Sequence, residues 1–342
     1  MKTTQNLKLV KFTLVALLLL LISSCSVFQS SKKVAKSHYD EGMNLLKANE
    51  FDKAIESFSK AIELDSQYVE AYYGRGKALT DSRQYDRAME DFNKATELDL
   101  QYVKAYYGRG RLFTESKQYD RALQELNKAI ELDPKYAEAY YGRGRVLTES
   151  KQYDRAKEDF NKAIELDPQY GNGYTGRGNV YLYLGQYELA LADYESAIQL
   201  DPQEENAYVN RGVAYYFLKQ KEKALADFAQ AIELDPQNVG AYNSRGYVYI
   251  GLQQYDLAIA DIAKVIELDP KNAQARNNRG NAYMALGQYD LALTDLNEAI
   301  RLDPEYAEAY YSRGLAYQKL GKTVEADADF AKYKELTGKD YP

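Results

Sequence analysis

The sequence predicts a solenoid of nine stacked units, and three observations carry that prediction. A 34-residue block recurs without a break from residue 35 to residue 340, opening at Ala35, Val69, Val103, Ala137, Gly171, Glu205, Val239, Ala273 and Ala307. A fixed period of this length marks supersecondary units that bury their apolar faces only by stacking on one another. The eighth position is glycine in all nine blocks, from Gly42 to Gly314, and the twentieth is alanine in all nine, from Ala54 to Ala326. Leu-Asp-Pro closes six blocks, at Pro134, Pro168, Pro202, Pro236, Pro270 and Pro304.

The remaining fixed positions sharpen the pattern. Position 24 is large: Phe58, Phe92, Leu126, Phe160, Tyr194, Phe228, Ile262, Leu296 and Phe330. Position 27 is alanine in seven blocks, with Val265 and Tyr333 as the exceptions. Together these residues resemble the tetratricopeptide repeat (TPR) over residues 35–340. The resemblance implies an all-α fold, a right-handed superhelical solenoid of nine helix-turn-helix units, each with a helix A and a helix B. The units run 35–68, 69–102, 103–136, 137–170, 171–204, 205–238, 239–272, 273–306 and 307–340.

Each signature residue then has a physical reason, taken in chain order. Tyrosine fills the aromatic slot at position 4, as in Tyr72 and Tyr174, with His38 and Arg276 as exceptions; the chain has no tryptophan. Glycine at 8 and alanine at 20 let the two helices of a unit approach, and the large residue at 24 fills the space between units. Alanine at 27 leaves room for the next helix A. Proline at 32 ends helix B by disfavouring helical geometry at the residue before it. Ser66 and Leu100 replace that proline in the first two units, so less sharp helix ends are expected there.

One departure from the family pattern is systematic. Position 7 is arginine in eight units (Arg75, Arg109, Arg143, Arg177, Arg211, Arg245, Arg279, Arg313). The same eight carry an acid at position 23 (Asp91, Glu125, Asp159, Asp193, Asp227, Asp261, Asp295, Asp329). The first unit has neither, with Glu41 and Ser57 instead. This joint presence and absence predicts an arginine–carboxylate pair inside each of the eight.

Residues 1–24 are a different object. Lys2, Lys8 and Lys11 precede the apolar run from Phe12 to Ile22. That run falls short of the about 20 residues a membrane-spanning helix needs and fits the apolar region of a signal peptide. Ile22-Ser23-Ser24-Cys25 resembles a bacterial lipobox. The resemblance implies cleavage before Cys25 and lipid on its sulfur, with residues 25–34 as a tether. Several acyl chains would hold the protein firmly, since each buried CH₂ contributes about 0.8 kcal/mol. Ser26 is not the aspartate that resembles an inner-membrane retention signal, which favours the outer membrane of a bacterial envelope, with the repeats facing periplasm or exterior.

Composition narrows the function. Cys25 is the single cysteine, so no intrachain disulfide exists. Losing three lysines and no acid with residues 1–24 takes the formal charge from −7 to near −10. An acidic chain without a long basic run argues against nucleic acid as a partner. His38, the one histidine, occupies a packing slot. No Cys/His metal pattern, phosphate loop or Ser/His/Asp set is present, and Gly-Arg-Gly, as at Gly74-Arg75-Gly76, falls inside helix A. The expectation is a non-enzyme without a cofactor or metal.

The family lines its concave groove with positions 2, 5, 9, 12 and 13 of helix A. In repeats two to four nine of these fifteen are charged: Glu70, Lys77, Asp81, Lys104, Arg111, Glu115, Glu138, Arg145 and Glu149. In repeats five to eight none of the twenty is. That stretch carries Asn172, Asn179, Asn206, Asn243, Asn277 and Asn281 with Tyr183, Tyr216, Phe217 and Tyr247, plus Leu182, Val209, Val213, Ile250 and Met284. Amides can pair with the backbone of an extended peptide and aromatics can anchor its side chains. These ten amide and aromatic residues are the expected peptide-binding groove. A carboxylate-clamp groove needs lysine at position 5, and no unit has it.

The expected function is a membrane-anchored scaffold that binds protein or peptide partners during envelope assembly or secretion. The alternative is an accessory subunit of an envelope enzyme or carbohydrate-processing complex. At the C-terminal end, Tyr333 replaces the small residue that would admit another helix A, and only Asp340, Tyr341 and Pro342 follow Lys339. A self-capped, monomeric array is expected, with an end-to-end dimer as the alternative.

Overall fold

The computed structural model describes residue 29 and residues 31–340, and every regular element among them is an α-helix. Residues 1–24, where a signal peptide is expected, and Cys25 lie outside the described residues. The chain divides into two compact units between Asp167 and Pro168. The first holds α1 (residues 31–47), α2 (Phe51–Leu64), α3 (Val69–Asp81), α4 (Tyr85–Leu98), α5 (Val103–Glu115), α6 (Tyr119–Leu132), α7 (Ala137–Glu149) and α8 (Tyr153–Leu166). The second holds α9 (Gly171–Tyr183), α10 (Tyr187–Leu200), α11 (Glu205–Phe217), α12 (Lys221–Leu234), α13 (Val239–Gly251), α14 (Tyr255–Leu268), α15 (Ala273–Ala285), α16 (Tyr289–Leu302), α17 (Ala307–Lys319) and α18 (Thr323–Thr337). Odd helices are A and even helices are B, so the nine blocks are nine helical hairpins.

The fixed residues sit where their sizes require. The alanines of position 20 are buried in every hairpin. A methyl built on Gly178 would lie 2.8 Å from Cε1 of Tyr194, and one on Gly76 would lie 2.7 Å from Cε1 of Phe92. Phe92 is fully buried, and a methyl on Gly108 of the next helix A would lie 2.7 Å from the same ring. The large residue therefore wedges between its own helix A and the following one, which is why those helices carry glycine.

Each A-to-B turn places position 15 in the left-handed region. Gly185, Gly287 and Gly321 hold it at φ 70–73°, whereas Arg83, Lys117 and Lys151 hold it at 62°, 56° and 58°. Position 16 then donates back to position 11, as in Gln152 N–H to Leu147 O at 2.8 Å, which closes a Schellman motif. A side chain in this region costs about 1–2 kcal/mol, part of which glycine returns as backbone entropy. Lys117→Gly and Lys151→Gly are each expected to stabilise by roughly 0.5 kcal/mol, read as a higher urea midpoint. A lowered midpoint would contradict this.

Helix B ends equally sharply with and without proline, contrary to expectation. α2 and α4 stop at Leu64 and Leu98, the same repeat position as Leu132 in α6. The stop is made by aspartate at position 31. Asp65 Oδ1 accepts the Gln67 N–H at 3.1 Å and Asp99 Oδ1 accepts the Gln101 N–H at 2.8 Å. Asp133 makes the same bond to Lys135 in a unit that has proline. These are Asx turns, which compete with helix continuation on their own.

All eight arginine–carboxylate pairs form. Arg177 Nε donates to Asp193 Oδ2 at 2.8 Å and Nη2 donates to Oδ1 at 2.6 Å. The aspartate pairs repeat this two-pronged geometry, while Arg109 places both nitrogens on Oε2 of Glu125 at 3.0 and 2.7 Å. The aspartates are buried and the arginine side chains are about a fifth exposed. The hydrogen bond to Asp193 raises the Arg177 guanidinium above its ordinary value. The position-4 ring covers each fork where it is tyrosine, with Tyr174 5.8 Å from the Arg177 guanidinium carbon. Arg143 Nη1 also reaches Asn127 Oδ1 of the preceding hairpin at 2.7 Å. The first hairpin lacks the pair, and there His38 Nδ1 lies 3.3 Å from Glu41 Oε2. At the far end Tyr333 packs on Tyr311, centroids 5.3 Å apart, and α18 stops at left-handed Gly338.

Candidate peptide-binding face

The A helices of the second unit lie side by side, α9 next to α11, α11 next to α13 and α15 next to α17. Their shared face holds the ten residues singled out from the sequence, but not all in one state. Asn172, Asn206 and Asn243 are exposed. Asn281 is half-buried, as is Asn179, whose Oδ1 accepts the Tyr194 hydroxyl at 2.7 Å and the Asn210 amide at 3.0 Å. Asn277 is buried, 4% exposed. Its amide donates to the Tyr306 hydroxyl at 3.4 Å, and its Oδ1 has no hydrogen-bond partner among the described residues. The expected row of six amides is therefore three exposed groups, two half-buried and one buried. Position 5 points between neighbouring helices in this hairpin, where a short side chain is covered.

The aromatic residues stand out into solvent. Tyr183, Phe217 and Tyr247 are 63%, 51% and 59% exposed, and Tyr216 is half-buried. Four rings form a continuous chain. Tyr187 stacks on Phe217 with centroids 4.9 Å apart and planes 4° off parallel. Phe217 meets Tyr216 edge-on at 5.8 Å, and Tyr216 meets Tyr247 edge-on at 5.7 Å. Between α11 and α13 these rings border a pocket of about 190 Å³, with Val213 and Asn243 on its walls and buried Phe228 and Val248 beneath. Tyr187, at the start of α10, is outside the family's groove positions and was not expected. Its repeated occurrence at position 17, as in Tyr85, Tyr119 and Tyr153, was the available signal.

The same face of the first unit differs in kind. Four of its charges pair between neighbouring A helices, Arg111 with Asp81 at 3.1 Å and Arg145 with Glu115 at 3.4 Å. Its position-5 residues are aromatic and half-buried. Burial pushes the Tyr107 phenol up to about 12. Among the described residues no group of His, Cys, Asp and Glu could hold a metal ion, and no helix is long and apolar enough to cross a membrane.

Among solved structures, the chain is similar to the Cut9–Hcn1 hetero-tetramer of the APC/C, at 17% identity and TM-score 0.61, covering 90% of this chain and 74% of that one. It is also similar to YrrB, described as a TPR protein with an unusual peptide-binding site, at 28% identity and TM-score 0.45, covering 55% of this chain and 97% of that one. MamA matches at 25% identity and TM-score 0.45, covering 47% of this chain and 94% of that one. The first likeness bears on the fold alone. No match was found among the curated proteins. TPR repeat models match residues 42–82, 110–149, 178–219, 246–287 and 280–321, and tetratricopeptide repeat models match 137–170 and 205–238, 160–192 and 228–260, and 69–102 and 307–340. With hairpins, wedging residues and family matches all recurring at the 34-residue period, the chain belongs to the tetratricopeptide-repeat family.

Proposed function

We propose that the chain is a non-enzymatic, lipid-anchored adaptor that holds an extended segment of a protein partner on the A-helix face of repeats five to seven. One observation carries the binding half. The chain of rings from Tyr187 to Tyr247, with Phe217 and Tyr247 exposed and Tyr187 and Tyr216 half-buried, lies beside Asn243 and a pocket, on a face without a charged groove position. Exposed, pre-ordered aromatics are the side chains that carry most binding energy, because little rotamer freedom remains to be lost. Asn172, Asn206 and Asn243 offer both donor and acceptor to a peptide backbone. The anchoring half is supported by the sequence before residue 26, which combines a basic start, a short apolar run and Ser-Ser-Cys25. That reading places the repeats outside the cytoplasm, on a bacterial outer membrane, in assembly or secretion.

Tyr216→Ala is expected to weaken capture of the partner from detergent-solubilised membranes by about thirtyfold, equivalent to about 2 kcal/mol, and Asn243→Ala by a smaller factor. Neither should change helical content. Asn277→Ala is a stability variant, since that side chain is buried. Cys25→Ala should abolish labelled-palmitate incorporation and release the protein from membranes. Unlabelled wild type with unchanged membrane retention of the variant would overturn the anchor. Full capture by Tyr216→Ala would overturn the face.

A further inference from the structure

Repeat five has a hollow that other repeats fill with rings. In repeats one to four, positions 5 and 34 are both tyrosine, and in the first three the rings meet: Tyr39 with Tyr68 at 5.2 Å, Tyr73 with Tyr102 at 5.8 Å, Tyr107 with Tyr136 at 5.6 Å. Repeat five has Thr175 and Glu204 at these positions and glycine at positions 1 and 3. The space that two rings would occupy is a pocket of about 230 Å³ walled by Gly171, Asn172, Thr175, Leu200, Asp201 and Glu204. The next two repeats also lack the tyrosine pair, but there position 34 is asparagine and is consumed as a helix cap, Asn238 on the Ala241 N–H and Asn272 on the Ala275 N–H. Glu204 does not cap the third residue on in this way, and its carboxylate faces the Asn206 amide instead.

The pocket's chemistry has one sign. Its apolar wall is Ala197 and Leu200, its polar wall is the Asn172 and Gln169 amides and the Thr175 hydroxyl, and its carboxylates are Asp201 and Glu204; no lysine or arginine lines it. Asp201 is exposed and accepts the Gln203 N–H through Oδ1 at 2.9 Å, whereas Glu204 is the half-buried carboxylate of the wall, met on one side by the Asn206 amide. Burial, then the neighbouring charges of Glu205 and Asp201, hold the Glu204 carboxyl above its ordinary value, with the Asn206 amide opposing them in part. A cation placed here removes that penalty, and an alkyl stem covers the Ala197–Leu200 wall as lysine stems commonly do.

We propose that this hollow accepts a primary ammonium on an alkyl stem, a lysine side chain of the segment held along the A-helix face, with Glu204 as its counter-charge. The proposal rests on the peptide-binding reading for the identity of the ligand, and its chemistry can be tested without it. Saturation-transfer NMR on the full-length chain in detergent uses four small probes: Nα-acetyl-lysine methylamide, its uncharged norleucine analogue, butylammonium and glycine methylamide. The lysine derivative and butylammonium should bind wild type. The norleucine analogue and the stemless glycine ammonium should bind at least tenfold more weakly, which separates a side chain from a chain N-terminus as the source. Glu204→Gln, which keeps size and removes charge, should weaken the lysine probe at least tenfold with an unchanged melting temperature. Thr175→Tyr with Glu204→Tyr, which restores the pair of repeats one to three, should abolish binding and leave the protein as stable or more so.

Equal binding of lysine and norleucine probes, equal binding to wild type and Glu204→Gln, or no binding to wild type at millimolar probe would each overturn the proposal. Glycine methylamide binding as tightly as the lysine derivative would move the ligand to a chain terminus and overturn the side-chain assignment. Tyr216→Ala should leave probe binding unchanged, so failure of the hollow and failure of the aromatic face are separate results.

Discussion

Arg177→Ala is expected to destabilise the second unit by about 3 kcal/mol, far more than removal of a surface charge. The reason is the carboxylate left behind. Asp193 is 7% exposed and receives two hydrogen bonds from this one guanidinium, at 2.8 and 2.6 Å. Without Arg177 a buried charge keeps its desolvation penalty and loses its counter-ion. Arg177→Lys should recover only part, because a point charge cannot span both oxygens. The double variant Arg177→Met with Asp193→Leu should be closer to wild type than Arg177→Ala, since it removes both charges together. Urea unfolding followed by circular dichroism reads each variant. A loss below about 1 kcal/mol for Arg177→Ala would mean that the pair behaves as an exposed one.

Phe92→Ala is expected to cost about 3–5 kcal/mol in the first unit. The Phe92 ring is shared by Gly76 of its own hairpin and Gly108 of the next, and it is 1% exposed. Truncation leaves a cavity between two repeats whose glycines supply no side chain to fill it. Tyr247→Ala, on an exposed ring of the same family of helices, should change the unfolding midpoint little. Similar midpoints for the two variants would contradict the wedge role of position 24.

The fold was legible because its determinants are local and repeated nine times. Glycine facing a large residue, and arginine appearing only with its acid, can each be read by comparing one block with the next. The helix-B stop was misread for an instructive reason. Proline is conspicuous, whereas the Asx turn of Asp65 and Asp99 uses a residue common anywhere on a surface. The face was legible only in part. Its lack of charge follows from the sequence, and its exposed rings stand where positions 9, 12 and 13 place them. Whether position 5 is presented or covered varies with position 34 of the same block: Asn243 is exposed where that residue is Asn272, while Asn277 is buried against Tyr306. Tyr187 joins the rings by stacking across hairpins, a contact between units that block-by-block comparison does not encode. The hollow of repeat five likewise depends on two residues far apart in sequence being small or acidic at once.

Site-directed photocrosslinking in intact membranes tests the binding face most directly. A benzoylphenylalanine placed at Tyr247, on the exposed neutral face of the second unit, is expected to give a discrete protein adduct on irradiation. The same group at Arg145, where the first unit pairs its own charges, is expected to give none. Tyr216→Ala should reduce the Tyr247 adduct. An adduct at Arg145 with none at Tyr247 would contradict the assignment and move binding to the charged repeats.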